Sequence, residues 1–302
     1  MTSTPVKIIV SAGAGAGDKN EVCERLDQIF KQNQIDIDIS LAHDGAELTE
    51  LARDAAHGPY KVIVAAGGDG TVNSVAAMVA GSDKLLGILP LGTLNHFARD
   101  LKIPFDLKAA VHTIVAGHIA EVDVAEVNDR VFINNSSLGL YPTIVREREK
   151  RERLGLGRWP AFVWATIQAL RRYPFLEVRL RVNDEAVDRT TPFVFVGNNE
   201  YAMNSFNIGL RHRLDSGVLC IYITHRTSRL RLIGLALRAI FGRLRDDKDF
   251  LALCADEVKI ETQHKHLRVA FDGEITIMKT PLQYRVRSRA LRVIVPKETE
   301  AE

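Results

Sequence analysis

The chain has 302 residues, 46% apolar and 26% charged, with a formal net charge of +2. That length allows two domains with cores of their own, and that balance excludes a disordered, low-complexity or collagen-like chain. No uninterrupted apolar stretch reaches the roughly 20 residues that cross a bilayer, because Arg238 and Arg243 break the best candidate, so no membrane span is expected.

The first 17 residues read as a short strand running into a glycine-rich loop, without the basic start and apolar core of a secretory signal, so no export is expected. Up to residue 121, apolar runs suited to buried strands (6–10, 35–41, 61–66, 85–89) alternate with helical patterns (22–32, 46–56, 72–80, 107–116). That alternation predicts a parallel α/β domain over residues 1–122.

From residue 122 the pattern turns β-rich, with strands expected at 122–127, 131–134, 176–182, 193–196, 218–224, 257–261, 267–271 and 282–286. A second, largely antiparallel domain is therefore expected over residues 123–302, its last strand free to return to the first domain. Helical patterns at 158–173 and 228–244 interrupt it, and the polar tail from residue 297 is expected to fray. Cys23, Cys220 and Cys254 are odd in number, far apart and lack metal or redox spacing, which fits a reducing compartment.

Residues 1–122 carry 10 basic and 15 acidic side chains, and residues 123–302 carry 30 and 23, so the two parts differ as −5 against +7. A basic second part suits an anionic partner, either a lipid surface or nucleic acid, while ordinary solvated charge is the plain alternative.

The most informative segment is Lys61-Val-Ile-Val-Ala-Ala66 followed by Gly67-Gly68-Asp69-Gly70-Thr71 and a helical pattern containing Asn73. A strand, a glycine turn and a helix start let backbone N–H groups approach an anion, with Thr71 supplying a hydroxyl and Asp69 a carboxylate at the same mouth. Leu85-Leu-Gly-Ile-Leu-Pro90 and Leu91-Gly92-Thr93-Leu94-Asn95 repeat that logic. In a parallel sheet both turns lie at one edge, the crevice beyond the carboxyl ends of the strands where ligands bind. Gly92, Thr93 and Asn95 can close on the same nucleotide, with a simple helix cap as the other reading of Asn95. A third turn, Ser11-Ala-Gly13-Ala-Gly15-Ala-Gly17, is weak by itself and equally suits a flexible connector.

Gly67 to Thr71 with Asn73, followed by Pro90-Leu-Gly-Thr-Leu-Asn95-His-Phe-Ala-Arg99, resembles the catalytic domain of the diacylglycerol kinase and sphingosine kinase superfamily, its bacterial lipid kinases in particular. Asp123-Val-Ala-Glu-Val-Asn128, Phe132-Ile-Asn134 and Phe271-Asp-Gly-Glu274 follow in that family's order, so the resemblance covers nearly the whole chain. It implies an α/β nucleotide domain similar to NAD kinases and phosphofructokinases, a β-rich sandwich-like lipid domain, and an active site in the cleft between them. It further implies that residues 67–71, Asn73 and Thr93 bind ATP, that Ser11, Gly13 and Gly15 cover the phosphates, and that Asp69 helps to organise Mg²⁺.

Asp272-Gly273-Glu274 follows an expected strand, and in a β-rich region Asp-Gly ordinarily marks a hairpin turn. The resemblance makes one of its carboxylates the general base of phosphoryl transfer, Glu274 first and Asp272 second. It also implies a structural magnesium loop formed by Ser216 and backbone carbonyls near Arg213 and Val218. The family commonly carries aspartates where this chain has His96 and Ser216, and a hydroxyl in place of an anionic ligand weakens magnesium. These departures leave a non-catalytic nucleotide- or lipid-binding regulator as an alternative, and the shared Gly-Gly-Asp-Gly turn leaves a kinase of soluble substrates such as NAD as another.

Residues 228–245 place Leu230, Ile233, Leu237, Ile240, Phe241 and Leu244 on one helical face with arginines around it. Such a helix either lies in the bilayer interface against anionic head groups or packs its stripe on the β domain. Arg158-Trp159 and Trp164 pose the same choice. No nucleic-acid-binding module is present in the sequence. The expected partners are a lipid substrate and an anionic membrane met peripherally from the cytoplasm. The lipid's identity is not written in these residues, and a homodimer is left open.

Overall fold

The computed structural model describes residues 5–13, 19–140, 142, 164, 175–182, 185–202, 210–224 and 250–297. The chain divides into two compact units, one of Met1–Val124 with Ser288–Glu302 and one of Ala125–Arg287. The expected helix at 228–244, and that at 158–173 apart from Trp164, lie outside the described residues.

The first unit is a parallel α/β layer. β1 (Val6–Ser11), β2 (Ile37–Ala42), β3 (Val62–Gly67) and β4 (Leu85–Pro90) run in the order β2-β1-β3-β4, every neighbouring pair parallel. Ile8, Ile9 and Val10, Ile63 to Ala66, and Leu86, Ile88 and Leu89 are all buried, which is why these strands read as continuous apolar runs rather than alternating ones. Helices supply the covering layers: Leu26 and Phe30 of α1 (Lys19–Gln32), Leu48, Ala52 and Ala55 of α2 (Gly45–His57), Val72, Val75, Ala76 and Val79 of α3 (Asp69–Val79), and Ala110, Val111 and Ile114 of α5 (Leu107–Ala116) are buried. The short α4 (His96–Asp100) precedes α5. Asp44 caps α2 by accepting the N–H groups of Ala46 and Glu47, and Asp106 caps α5 by accepting that of Ala109.

The fifth strand of this sheet comes from the far end of the chain. β16 (Leu282–Val295) lays Arg292 and Val293 parallel to Leu85 and Leu86 of β4, and Ala290 accepts the N–H of Gly81 at 2.6 Å. Within β16, Arg289 adopts a positive φ of 51°, and the buried carboxylate of Asp123 in β5 (His118–Val127) holds its N–H at 2.8 Å. The sequence pattern stops this strand at residue 286, where the apolar period breaks at Arg287, Ser288 and Arg289.

The second unit is antiparallel. One sheet runs β12-β11-β10-β7-β14-β15, made of β7 (Asn135–Gly139), β10 (Phe193–Asn198), β11 (Leu219–Thr224), β12 (Phe250–Ala255), β14 (His266–Phe271) and β15 (Glu274–Lys279). Opposite it, the first half of β16 pairs with β13 (Glu257–Thr262), then β8 (Leu176–Val182) and β9 (Glu185–Thr191), while β6 (Arg130–Phe132) folds back on the end of β5. The two inner faces form one core, with Leu138, Val194, Val196, Ile221 and Val269 from one sheet and Val178, Leu180, Val258, Ile260 and Tyr284 from the other. The strict alternation of β8, with Leu176, Val178 and Leu180 inside, is the period-two signal that made it legible. Buried Tyr284 packs edge-on against Phe132 and shares a 3.0 Å hydrogen bond with Ser136 Oγ, and burial pushes its phenol upward in pKa. The sequence pattern misses β7, β9, β12 and β15; the last three are all sheet edges, and β9 is largely polar.

The reading of the three cysteines as fitting a reducing compartment is corrected, since two of them form a disulfide. β11 and β12 pair so that Cys220 lies directly opposite Cys254, their Cα atoms are 4.1 Å apart, and the two are joined in a disulfide that pins the edge strand β12 across a sequence separation of 34. Sequence spacing carries no trace of this, because cross-strand register is set by the sheet. Cys23 is free. Denatured, unreduced protein is therefore expected to titrate one thiol, and reduced protein three. Reduction should lower the unfolding free energy by up to about 4 kcal/mol, the chain-entropy value for a loop of this size. Three thiols without reductant would remove the bond.

Candidate functional site

In the first unit three loops leave the carboxyl ends of parallel strands. Residues 11–13 follow β1, residues 67–71 join β3 to α3, and residues 91–95 join β4 to α4. Parallel register puts them at one edge: Gly67 pairs with Pro90, Ala66 pairs with Val10, and Gly67 O accepts the N–H of Leu91 at 2.9 Å. Gly15 lies outside the described residues.

The second and third loops meet backbone to backbone. A Cβ at Gly92 would stand 2.4 Å from the Cα of Gly68 and 2.7 Å from Asn95 Oδ1. A Cβ at Gly67 would stand 2.2 Å from Thr71 Oγ1, because the buried Thr71 folds back over it. These two glycines are present for proximity rather than for unusual dihedrals. The helix begins at Asp69, three residues before the periodic pattern starts, so Asp69, Gly70 and Thr71 form its first turn. Gly68 sits at the N-cap and no side chain caps the helix, which leaves a bare helix N-terminus at the strand edge, with the positive end of its dipole ready for an anion.

Asn95 shapes the other loop. It adopts the left-handed conformation (φ 50°), accepts the N–H of Gly92 at 3.1 Å through Oδ1 and donates to Gly92 O at 2.7 Å through Nδ2. Its amide thus closes the turn that carries Gly92 and the exposed Thr93, and does not cap α4. Asn73, one turn into α3, is 5% exposed and its Oδ1 has no hydrogen-bond partner. A buried unpaired carbonyl oxygen costs about 1–3 kcal/mol, a cost that a bound donor would relieve.

In the second unit the Asp-Gly pair is a hairpin turn. β14 and β15 are joined by Asp272 and Gly273, both at positive φ (45° and 88°), the two-residue geometry that Asp-Gly favours. The Asp272 carboxylate accepts the N–H groups of Ile133 (2.7 Å), Asn134 (2.9 Å) and Asn135 (3.0 Å), and its own N–H donates to Asn135 O at 2.9 Å. Burial raises its pKa to about 6, against the opposing pull of those three amides and of Arg211. Glu274, the next residue after the turn, is exposed. The two carboxylates therefore differ in kind: Asp272 anchors the hairpin, and Glu274 remains at the surface.

Around this anchor lies a polar cluster that sequence reasoning missed. Buried Arg211 donates to Ile133 O, Asn198 O and Asn134 Oδ1, Asn198 Nδ2 donates to Ile133 O at 2.9 Å, and Tyr201 N donates to Tyr222 Oη. The signal available was the pair of Asn-Asn dipeptides at 134–135 and 198–199, which the sheet places side by side.

The loop assigned to a structural magnesium is held by Asn199, whose Oδ1 accepts the Ser216 N–H at 3.0 Å and whose N–H donates to Val218 O at 3.0 Å. Arg213 pairs with Asp215 at 3.2 Å. Ser216 offers a neutral hydroxyl, the Val218 carbonyl already accepts an amide, and the neighbouring carboxylate faces a guanidinium. That donor set does not suit a hard dication. Among the described residues no group of three or more His, Cys, Asp or Glu is arranged to hold a metal.

Residues 5–127 match the diacylglycerol kinase catalytic domain, and residues 141–295 match the YegS C-terminal NAD kinase beta sandwich-like domain. A Bacillus subtilis (strain 168) protein named diacylglycerol kinase is 26% identical over 90% of this chain and 89% of its own length. A diacylglycerol kinase of Staphylococcus saprophyticus is 27% identical over 68% of this chain and 71% of its own. A crystal structure described as a diacylglycerol kinase from Bacillus anthracis str. Sterne superposes with a TM-score of 0.71 at 22% identity, covering 98% of both chains, which bears on the fold alone.

The raised pKa of Asp272 fixes the sign of a pH effect. Between the unfolded value near 4 and the folded value of about 6, the folded chain holds a proton that the unfolded chain has released. The stability from this carboxyl is thus full below about pH 4 and is lost as pH rises through about 6. The stability difference between wild type and Asp272→Asn, from urea melts, is expected to shrink by about 2–3 kcal/mol across that window. A flat or growing difference would refute the assignment.

Proposed function

This chain belongs to the diacylglycerol kinase-like family of lipid kinases, and we propose that it transfers the γ-phosphoryl group of ATP to the hydroxyl of diacylglycerol or a related lipid alcohol. The observation that carries this reading is the N-terminus of α3, uncapped by any side chain among the described residues, in close contact with the Gly92 turn. Backbone amides and a helix dipole suit a polyphosphate, whose charge is spread over several oxygens. We assign residues 67–71, Asn73 and Thr93 to the nucleotide, with residues 11–13 beside the phosphates. The orphaned Oδ1 of Asn73 supports its place in that set, since a donor brought by a ligand would satisfy it.

Phosphoryl transfer asks little covalent chemistry of the protein. It requires a seated triphosphate, an oriented hydroxyl and a group to take the hydroxyl proton. The acceptor oxygen bonds to the γ-phosphorus as the bond to the β–γ bridging oxygen breaks, and the acceptor's proton passes to a carboxylate. Glu274 takes that role, because it is exposed while both oxygens of Asp272 are occupied. Magnesium carried with the triphosphate would neutralise its charge, and Asp69 is the carboxylate at the start of α3 suited to hold it.

The lipid acceptor brings the protein to a membrane. Among the described residues no helix is long and apolar enough to cross one. The basic excess of residues 123–302 and the arginine-flanked apolar stripe of residues 228–245 support peripheral contact with anionic lipid.

Purified protein is expected to move labelled phosphate from ATP to a lipid extract, faster on anionic than on neutral vesicles, and not to NAD. Asp69→Asn should abolish transfer, and Glu274→Gln should lower kcat by roughly 10²–10⁴-fold, the range for loss of a general base. Labelled lipid at undiminished yield from Asp69→Asn, or phosphorylated NAD in place of lipid, would overturn the reading. Gly92→Ala should weaken ATP by about tenfold or more in calorimetry, since the new methyl must push Gly68 aside.

A further inference from the structure

A buried guanidinium and a half-buried carboxylate of the second unit have one peptide group between them. The guanidinium of Arg211, 4% exposed, donates from Nη1 to Ile133 O at 2.6 Å and to Asn198 O at 3.0 Å, and from Nη2 to Asn134 Oδ1 at 2.8 Å. The N–H of Asn134 belongs to the same planar peptide as the Ile133 carbonyl, and it donates to Asp272 Oδ1 at 2.9 Å. A cation therefore loads the oxygen end of this peptide and an anion loads the hydrogen end.

In a low-dielectric interior, hydrogen bonds in series polarise one another. An isolated buried charge is costly, and here each is compensated through the peptide. The Tyr201 ring lies 5.5 Å from the guanidinium carbon, adding a cation–π contact. A lysine cannot reproduce the arrangement, because a single ammonium nitrogen does not span three acceptors that a planar fork reaches together.

We propose that Arg211 is a positioning residue for the Asp272-Gly273-Glu274 turn. It fixes the peptide joining Ile133 and Asn134, that peptide and its neighbours fix Asp272, and Asp272 fixes the hairpin whose next residue is Glu274. The inference rests on the assignment of Glu274 as the group that takes the acceptor's proton. Glu274 closes the turn opposite Phe271, so the tether of Asp272 to residues 133–135 sets where the end of this hairpin, and with it the Glu274 side chain, stands in the unit.

The test compares Arg211→Ala, Arg211→Lys and Glu274→Gln in transfer from ATP to a lipid extract containing diacylglycerol, ceramide and sphingoid bases, with and without guanidinium ion at a sub-denaturing concentration. Arg211→Ala should lose about 100-fold in kcat, the scale of a misplaced reacting group, with the KM for ATP within about twofold of wild type. Added guanidinium should restore Arg211→Ala by about tenfold or more by refilling the same seat, and should leave Arg211→Lys and Glu274→Gln unchanged. Wild-type kcat in Arg211→Lys or Arg211→Ala overturns the proposal, as does a loss in Arg211→Ala that guanidinium does not restore, whether or not that variant folds. The base assignment is judged separately: undiminished transfer by Glu274→Gln removes it and leaves the Arg211 proposal to be decided by rescue alone.

Discussion

The contact of Gly92 with Gly68 is the constraint on which the strand ends of the first unit depend. Parallel pairing of β3 with β4 brings two strand ends together, but only the absence of a side chain at position 92 lets the two turns close to backbone distance. Asn95 then locks the second turn by gripping both backbone polar groups of Gly92. What results is a close backbone-to-backbone contact of two turns beside the uncapped start of α3, at the end of a buried apolar sheet.

The second unit solves a different problem. There a two-residue hairpin turn has to be tied to the rest of its unit. Here the turn is tied by a carboxylate to three consecutive amides of another strand entry, and that entry is tied in turn by a buried guanidinium. The two acidic residues of Asp-Gly-Glu thus divide anchoring from exposure. Neither role is visible in residue type, since both side chains are carboxylates two positions apart.

Much of the architecture was legible from residue patterns. Buried parallel strands announce themselves as unbroken apolar runs, and the strand-glycine-helix junction at residues 61–80 is equally plain. The hairpin character of Asp272-Gly273 was equally legible from ordinary turn chemistry. What escaped was everything set by register: Cys220 against Cys254, the two Asn-Asn pairs, and Arg211, whose three acceptors lie 13 to 78 positions away in sequence. The start of α3 was placed late because Asp69, Gly70 and Thr71 carry no apolar period, although they occupy its first turn. Of the two readings of Asn95, the helix cap is corrected: its side chain makes no capping bond to α4 and locks the Gly92 turn.

The return of β16 to pair with β4 has a consequence for biogenesis. A ribosome delivers the amino end first, so β1 through β4 emerge while residues 288–295, which supply the next strand of their sheet, are still unsynthesised. Until residues 288–295 are made, the β4 flank presents unpaired amide and carbonyl groups to whatever it meets. Completion of the first unit therefore waits for a segment that follows the whole of the second, and loss of residues 288–295 would unpair β4 of the amino-terminal unit while leaving most of the intervening one untouched.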